Sequence, residues 1–391
     1  MPSADNGCAE INVASLPNSS DRAVDRAATP WSPFQVQAIR RNLLRWYDRH
    51  RRDLPWRRRA GDPYAQWVAE IMLQQTRVDT VIPFYDRFLK SFPSAKALAA
   101  ADDEVVLKHW EGLGYYRRIQ HLHRAARLLA HEGRDVPRSS MELRKLPGIG
   151  DYTSAAISSI AAGEPVAAVD GNVARVVARL LALRADILSA QGKKQVQAAA
   201  DALLARKRPG DFNQAWMDLG SSVCTPRSPD CARCPLSTHC AAHAQGLTDD
   251  LPRRGTDRKR YAPVMHHVTV HVRDDAGCVL VRRRPPGGLW SGLWEYPSRD
   301  IEGNEKPRES ALALLRDLKL AARECDPIGR IEHQLTHRLM CFDVFHVSTS
   351  RGTVKTLSPS MQRWVNSDEL TQLAMATAQR KIQRLVAAIS D

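Results

Sequence analysis

No stretch of this chain approaches the roughly eighteen consecutive apolar residues of a membrane-spanning helix. A membrane role built on such helices is therefore not expected. The first thirty residues have no hydrophobic signal core, and Asp5, Glu10, Asp21 and Asp25 argue against a transit peptide. Met1 to Pro30 is expected to be a disordered tail. Cysteine is also scarce: eight in 391 residues cannot make a disulfide scaffold, and four of them crowd into one segment. That pattern points to a reducing, cytoplasmic setting and a metal centre. Acidic side chains are in deficit, 43 against 57 Lys and Arg, leaving a net charge of +14. A surplus of that size favours a polyanionic partner, most commonly nucleic acid. Hydrophobic content is ordinary at 43%, and the length suits two or three domains with cores of their own.

What the first two thirds of the chain do contain is helical periodicity. From Phe34 to about Asp53, Val36, Ile39, Leu43, Leu44, Trp46 and Tyr47 recur at helix spacing. Leu54-Pro55-Trp56-Arg57 breaks that helix and sets an aromatic beside a cation. Asp62-Pro63 reads as N-cap and first position of a helix running to about Thr76. Tyr64, Trp67, Val68, Ile71 and Met72 form one apolar stripe on it, with Glu70 and Gln74 along its margin. A carboxylate there either looks into a cleft, shielded from water, or is simply solvated. Helical patterns continue over Val78–Phe92 and Asp103–Trp110, followed by Gly112-Leu113-Gly114-Tyr115-Tyr116 and a basic helix, Arg117–Glu132. The two tyrosines are core aromatics or wedges placed to enter a base stack.

Leu146-Pro147-Gly148-Ile149-Gly150 then leads into the small-residue helix Thr153–Ile157, and Val169-Asp170-Gly171-Asn172 follows. A Pro-Gly-x-Gly turn between helices bares backbone N–H groups at a helix N-terminus, so Gly148 and Gly150 can grip an anion such as a DNA phosphate. Asp170 falls at a fixed distance from that turn, or merely caps the amphipathic helix marked by Val173, Val176, Val177, Leu180 and Leu181. Cys224, Cys231, Cys234 and Cys240 form a C-x6-C-x2-C-x5-C array. Zinc ribbons present two separated C-x2-C knuckles, and this array has one. Four thiolates on so short a loop can wrap a cubane iron–sulfur cluster; zinc and free thiols are the alternatives. Arg227 and Arg233 make the loop electropositive.

Between Gln245 and Ala262 the composition shifts to Pro252, Gly255 and the basic runs Arg253-Arg254 and Arg258-Lys259-Arg260, as in an interdomain linker. Beyond it the period moves towards two. Val268, Val270 and Val272 alternate with His267, Thr269 and His271, and Asp274–Gly277 turns the chain into Cys278–Val281. A helix over about Glu309–Leu318, strands over Arg338–Val347 and Gln362–Val365, and a last helix over Ala376–Ile389 complete an α/β pattern.

Taken in order, the Glu70-led Gln74-Gln75 segment, the Gly-Leu-Gly-Tyr-Tyr turn, the Pro-Gly-Ile-Gly hairpin, the Asp170 segment and the cysteine array resemble the helix-hairpin-helix glycosylases of the endonuclease III superfamily. The C-terminal pattern resembles a Nudix fold without its hydrolase box. Arg308-Glu309 is kept, but Leu312 and Ala313 stand where paired glutamates would hold a metal ion. Together these features look like an adenine DNA glycosylase of the MutY type, from about Phe34 onward. The resemblance implies a mainly α N-terminal region with a helix-hairpin-helix at about 141–162, a [4Fe–4S] loop at 224–240 and a domain spanning 31–244. A linker at 245–262 and an α/β Nudix-like lesion-recognition domain at 263–391 would follow.

The resemblance further implies a monomeric base-excision repair enzyme, acting at the bacterial nucleoid on duplex DNA with adenine mispaired with 8-oxoguanine or guanine. Glu70 would protonate the leaving adenine and Asp170, still ionised, would stabilise the sugar cation, with Asn172 supporting Asp170 or the water. Lyase-competent relatives carry a lysine where this chain has Tyr152, so hydrolysis should leave an intact abasic strand. Trp56, Arg57 and Gln214 would line the adenine pocket; Gln75 and Tyr115 would wedge or fill the stack. Leu335-Thr336-His337 would read 8-oxoguanine, with Thr336 supplying a hydroxyl and Leu335 offering no aromatic face. The alternatives are an endonuclease III-like pyrimidine glycosylase and lyase, and a catalytically silent iron–sulfur DNA-binding protein.

Overall fold

The computed structural model describes residues 30–255, 263–320, 324–349 and 361–390. The expected tail up to Thr29 and the basic run Arg258-Lys259-Arg260 lie outside the described residues. Twelve α-helices precede the first strand among those residues: α1 (Pro33–His50), α2 (Pro63–Leu73), α3 (Val78–Ser91), α4 (Ala95–Ala100), α5 (Asp103–Trp110), α6 (Arg117–His131), α7 (Ser140–Leu143), α8 (Asp151–Ala162), α9 (Gly171–Leu180), α10 (Ala190–Leu203), α11 (Pro209–Ser222) and α12 (Ala241–Ala244). No helix among them is long and apolar enough to cross a membrane. The chain divides into two compact units, and each draws on separated stretches of sequence.

The first unit comprises the chain up to Arg51, Val169–Arg206 and Gln214–Gly255. Its first helix begins with a capping box, in which Ser32 accepts from the Gln35 amide and the Gln35 side chain accepts from the Ser32 amide. Arg40 reaches from α1 to the last carbonyls of α10, with Nη2 donating to Ala202 O at 2.8 Å. Those carbonyls have no partner inside their own helix, so this contact ties residues 162 positions apart through groups that need bonds anyway. The α9 helix packs on both α10 and α12, and its Val173, Val176, Val177 and Leu180 are buried.

The second unit comprises Arg52–Ala168, Lys207–Asn213 and Thr256–Asp391. Its helical part is built around α2, which packs on α3, α6 and α8. Asp62 caps α2 by accepting from the Ala65 amide at 3.1 Å, with Pro63 at the first helical position. The expected single apolar stripe is not what forms: every residue from Tyr64 to Met72 is buried, Gln66 and Glu70 included. A helix wrapped on several sides has no solvated edge, so its polar residues need internal partners. Gln66 finds them in the carbonyls of Trp56 (2.6 Å) and Arg59 (3.2 Å).

The rest of this unit is a seven-stranded sheet with flanking helices. Its elements are β1 (Val264–Asp274), β2 (Val279–Arg283), β3 (Trp294–Glu295), β4 (Ser298–Asp300), α13 (Pro307–Asp317), β5 (Glu324–Leu335), β6 (Arg338–Thr349), β7 (Gln362–Val365), α14 (Ser367–Gln372) and α15 (Thr377–Ser390). The strand order is β3-β2-β1-β6-β5, with β1 parallel to β6, β4 added to β1 and β7 added to β2. Asp274 makes the β1–β2 turn, its Oδ1 accepting from the amides of Ala276 (3.0 Å) and Cys278 (2.7 Å). The alternation along β1 is realised in its packing: Val268, Val270 and Val272 join α13 residues in one core. His267 and His271, one position out of phase, meet the Phe342 and Tyr296 rings. β5 is not legible as a strand in the sequence, because Pro327 and Gly329 interrupt its alternation; the sheet absorbs them as a register shift.

Candidate active site and cysteine loop

Glu70 lies on the buried helix α2 with 5% of its surface exposed. The solvated-edge alternative is thereby removed. Tyr152, in the first turn of α8, donates its hydroxyl to Glu70 Oε2 at 2.9 Å. α2 and α8 are in direct contact, and Gln74 Nε2 to Thr153 Oγ1 (3.4 Å) adds a second link. The position at which lyase-competent relatives carry an amine thus holds a phenol engaged with the carboxylate.

The hairpin formed by α7 and α8 carries the glycine turn. Gly148 has φ +81°, and a Cβ there would lie 2.6 Å from Cβ of His121 on α6, so only glycine fits. Gly150 is the N-cap of α8. The amides of Gly148 and Gly150 donate to no acceptor among the described residues, which leaves them open for an anion.

The two tyrosines separate. Tyr116 is buried, while Tyr115 is 44% exposed at φ +48°, held there by a turn whose Gly112 and Gly114 also have positive φ. Gln75, exposed after the end of α2, likewise sits at φ +56°. Two non-glycine residues in the left-handed region, each on an exposed loop, mark local strain of the kind found at functional sites. Tyr115 Oη lies 2.6 Å from Thr336 Oγ1. Thr336 and His337 are the exposed turn between β5 and β6, and Leu335 ends β5 with its side chain against the core of the sheet. The hydroxyl and imidazole of this triplet are therefore presented outward, and Leu335 supports them from below.

The other residues expected in an adenine pocket are placed unevenly. Trp56 is 5% exposed and edge-on to Tyr85 at 5.5 Å, a core position. Arg57 is half-buried, with Nη1 donating to Arg52 O at 3.0 Å. Gln214 is buried on α11.

In the first unit, Asp170 is the N-cap of α9, its Oδ1 accepting from the Val173 amide at 2.7 Å. Asn172 Nδ2 donates to its other oxygen at 3.0 Å. The capping alternative is thus correct as geometry, and the cap fixes where the carboxylate sits. Burial pushes the Asp170 carboxyl above the ordinary aspartate value, while the donors at Val173 and Asn172 and the charge of Arg175 pull it back. Arg175 is a residue that the sequence reading misses. Its Nη2 donates to Asn172 Oδ1 (2.9 Å) and Gly220 O (2.6 Å), and its Nε donates to Cys224 O (2.9 Å). A Cβ on Gly220 would fall 2.7 Å from that of Asn172, so glycine is what lets α11 approach.

The four cysteines form no disulfide. Each thiol of Cys231, Cys234 and Cys240 is shifted up by burial and also by the charge of Cys224, and Cys234 is pushed to about 12. Arg179, 1% exposed, donates Nη1 to Cys224 Sγ at 3.3 Å, and its carbonyl accepts from Cys240 Sγ at 3.4 Å. A buried guanidinium bonded to Cys224 Sγ suits a group whose thiolates would otherwise be uncompensated. Four sulfur donors with a compensating cation fit an iron–sulfur cluster, each thiolate holding its own corner iron. One sequence signal for both arginines exists: Arg175 and Arg179 are one turn apart on a helix whose other residues are mostly small or apolar.

Comparison with known proteins bears on the family, the fold and the iron–sulfur loop. Residues 68–206 match the HhH-GPD superfamily of base excision DNA repair proteins, 224–240 the iron–sulfur binding domain of endonuclease III, and 268–385 the NUDIX domain. The chain is 36% identical to an adenine DNA glycosylase of Homo sapiens over 407 residues, spanning 90% of this chain and 74% of the relative. It is 42% identical to that of Mycolicibacterium smegmatis over 224 residues, 56% of this chain and 75% of the relative. A solved thermostable thymine-DNA glycosylase superposes with a TM-score of 0.49 at 28% identity, over 54% of this chain and 98% of its own. On the extent of the sequence and family-model matches, the chain belongs to the adenine DNA glycosylase family and carries its HhH-GPD fold, iron–sulfur loop and Nudix-like domain.

Proposed function

We propose that this enzyme removes adenine mispaired with 8-oxoguanine or guanine in duplex DNA, working as a monomer at the nucleoid and leaving an unbroken abasic strand. In this reading residues 31–244 form the glycosylase domain, 245–262 the linker and 263–391 the lesion-recognition domain. The observation that carries it is the Tyr152–Glu70 hydrogen bond: a buried carboxyl group held by a phenol, where a lyase would need an amine.

Glu70 gives a proton to N7 of adenine, so that the C1′–N9 bond breaks and the base departs neutral. Asp170, fixed by the Val173 amide and Asn172, stabilises the positive charge left on the sugar. A water then adds to C1′ and returns its proton to the Glu70 carboxylate. This is the division of labour of two carboxyl groups in glycoside hydrolysis. Gly148 and Gly150 hold a DNA phosphate at the N-terminus of α8. Thr336 and His337 read the opposite base, and Trp56, Arg57 and Gln214 shape the surroundings of the adenine. Cys224, Cys231, Cys234 and Cys240 would hold the [4Fe–4S] cluster, which supplies structural support when bound, while Arg227 and Arg233 of the same loop bring positive charge near the DNA.

The test is single-turnover base release from end-labelled duplexes holding adenine opposite 8-oxoguanine, guanine or thymine, each product analysed with and without hot alkali. Release opposite 8-oxoguanine and guanine, with strand breaks only after alkali, is expected. Glu70→Gln should lower that rate by about a thousandfold or more. Nicking without alkali, or release of damaged pyrimidines alone, would favour the endonuclease III-like alternative.

A further inference from the structure

Arg118, on α6, has no role in the chemistry described above, yet few side chains among the described residues bind more backbone. Nη1 donates to the carbonyls of Ile71 (2.9 Å), Met72 (2.9 Å) and Gln74, the bare C-terminal end of the helix that carries Glu70. Nη2 donates to Thr76 Oγ1, Leu113 O and Gly114 O, all at 3.2 Å. Its guanidinium carbon stands 5.4 Å from the Trp110 ring centre and 5.3 Å from that of Tyr115. One planar fork therefore closes the loop around Gln75 on one side and the Gly112–Tyr116 turn on the other. Burial lowers its pKa only to about 10, so it stays charged at neutral pH.

The two loops so joined carry Gln75 and Tyr115, both exposed and both at positive φ. Neither conformation is one that a free glutamine or tyrosine prefers, and both segments have ends that Arg118 alone bridges among the described hydrogen bonds. We infer that Arg118 is the positioning residue that sets Gln75 and Tyr115 as a single preformed shelf against the base stack, so that the cost of withdrawing the adenine is met before chemistry begins. The inference rests on the proposed wedge roles of those two residues. An ammonium cannot reproduce the fork: lysine offers three donors from one point, where Arg118 spreads six contacts over two nitrogens.

The test uses the full-length, cluster-loaded protein and two duplexes with the same 8-oxoguanine–adenine pair. In one the neighbours are fully paired; in the other, mismatches on both sides already loosen the stack. Arg118→Lys is expected to slow single-turnover release about tenfold or more on the paired duplex, and by less than about threefold on the loosened one. Tyr115→Ala, an exposed site where folding is not at risk, should give the same split, and the double variant should be no slower than the worse single one. Equal slowing on both duplexes, or no slowing on either, overturns the inference, and Tyr115→Ala decides it if Arg118→Lys unfolds. A wild-type protein that releases no adenine from either duplex overturns instead the function on which the inference stands.

Discussion

At Asp170 two demands meet. In its proposed role the carboxylate must be charged to stabilise a sugar cation, yet its burial favours the protonated form, and the donors from Val173 and Asn172 offset that penalty. An acid whose pKa is raised loses its charge at higher pH than usual, so activity should fall on the acidic side earlier than an ordinary aspartate would allow. Asn172→Ala removes one of the offsetting donors and leaves Arg175 Nη2 without that acceptor. The acid limb of the single-turnover rate profile should therefore move to higher pH in the variant, while the rate well above it changes little. An unmoved limb would show that Asn172 does not tune Asp170.

On the scale of elements, the parallel β1–β6 pair sets His271 opposite His346, with their Nδ1 atoms 3.0 Å apart. One ring must donate and the other accept, so the pair holds together only while at least one is neutral. Burial, the His346 ring and Arg273 lower the pKa of His271 to about 3. The unfolded chain takes up a proton near pH 6.5 that the folded sheet refuses. The stability from this pair is thus present above about pH 6.5 and is lost as the pH falls towards 3, by up to about 1.4 kcal/mol per pH unit. Urea unfolding followed by tryptophan fluorescence should show a midpoint that drops between about pH 6.5 and about pH 4, less steeply in His271→Gln.

At the scale of the whole molecule, the charge surplus of +14 is not spread evenly in role. Within the second unit, arginines and lysines also tie the helices to the sheet domain. Arg380 Nε on α15 meets Glu111 Oε1 at 2.6 Å, and Lys108 Nζ meets Glu111 Oε2 at 2.8 Å, with all three side chains mostly shielded. Removing the shared acid leaves two cations facing each other. Glu111→Gln should lower stability by roughly 1–3 kcal/mol, a fall of several degrees in melting temperature measured calorimetrically.

The sequence alone determined the helical first two thirds, the hairpin, the cysteine array and the α/β end, because periodicity, caps and turn glycines are local. Asp103–Trp110 and Gln362–Val365 have the limits their patterns suggest, and Asp62 and Asp170 cap the helices they precede. Only the tertiary structure decided what surrounds those elements. It buried Glu70 on a helix covered on several sides and gave it the Tyr152 hydroxyl. It parted Tyr115 from Tyr116, hid β5 behind a proline and a bulge, and placed Arg118, Arg175 and Arg179 among carbonyls distant in sequence. A side chain's desolvation and its partners depend on segments that meet through folding, and no local pattern encodes them.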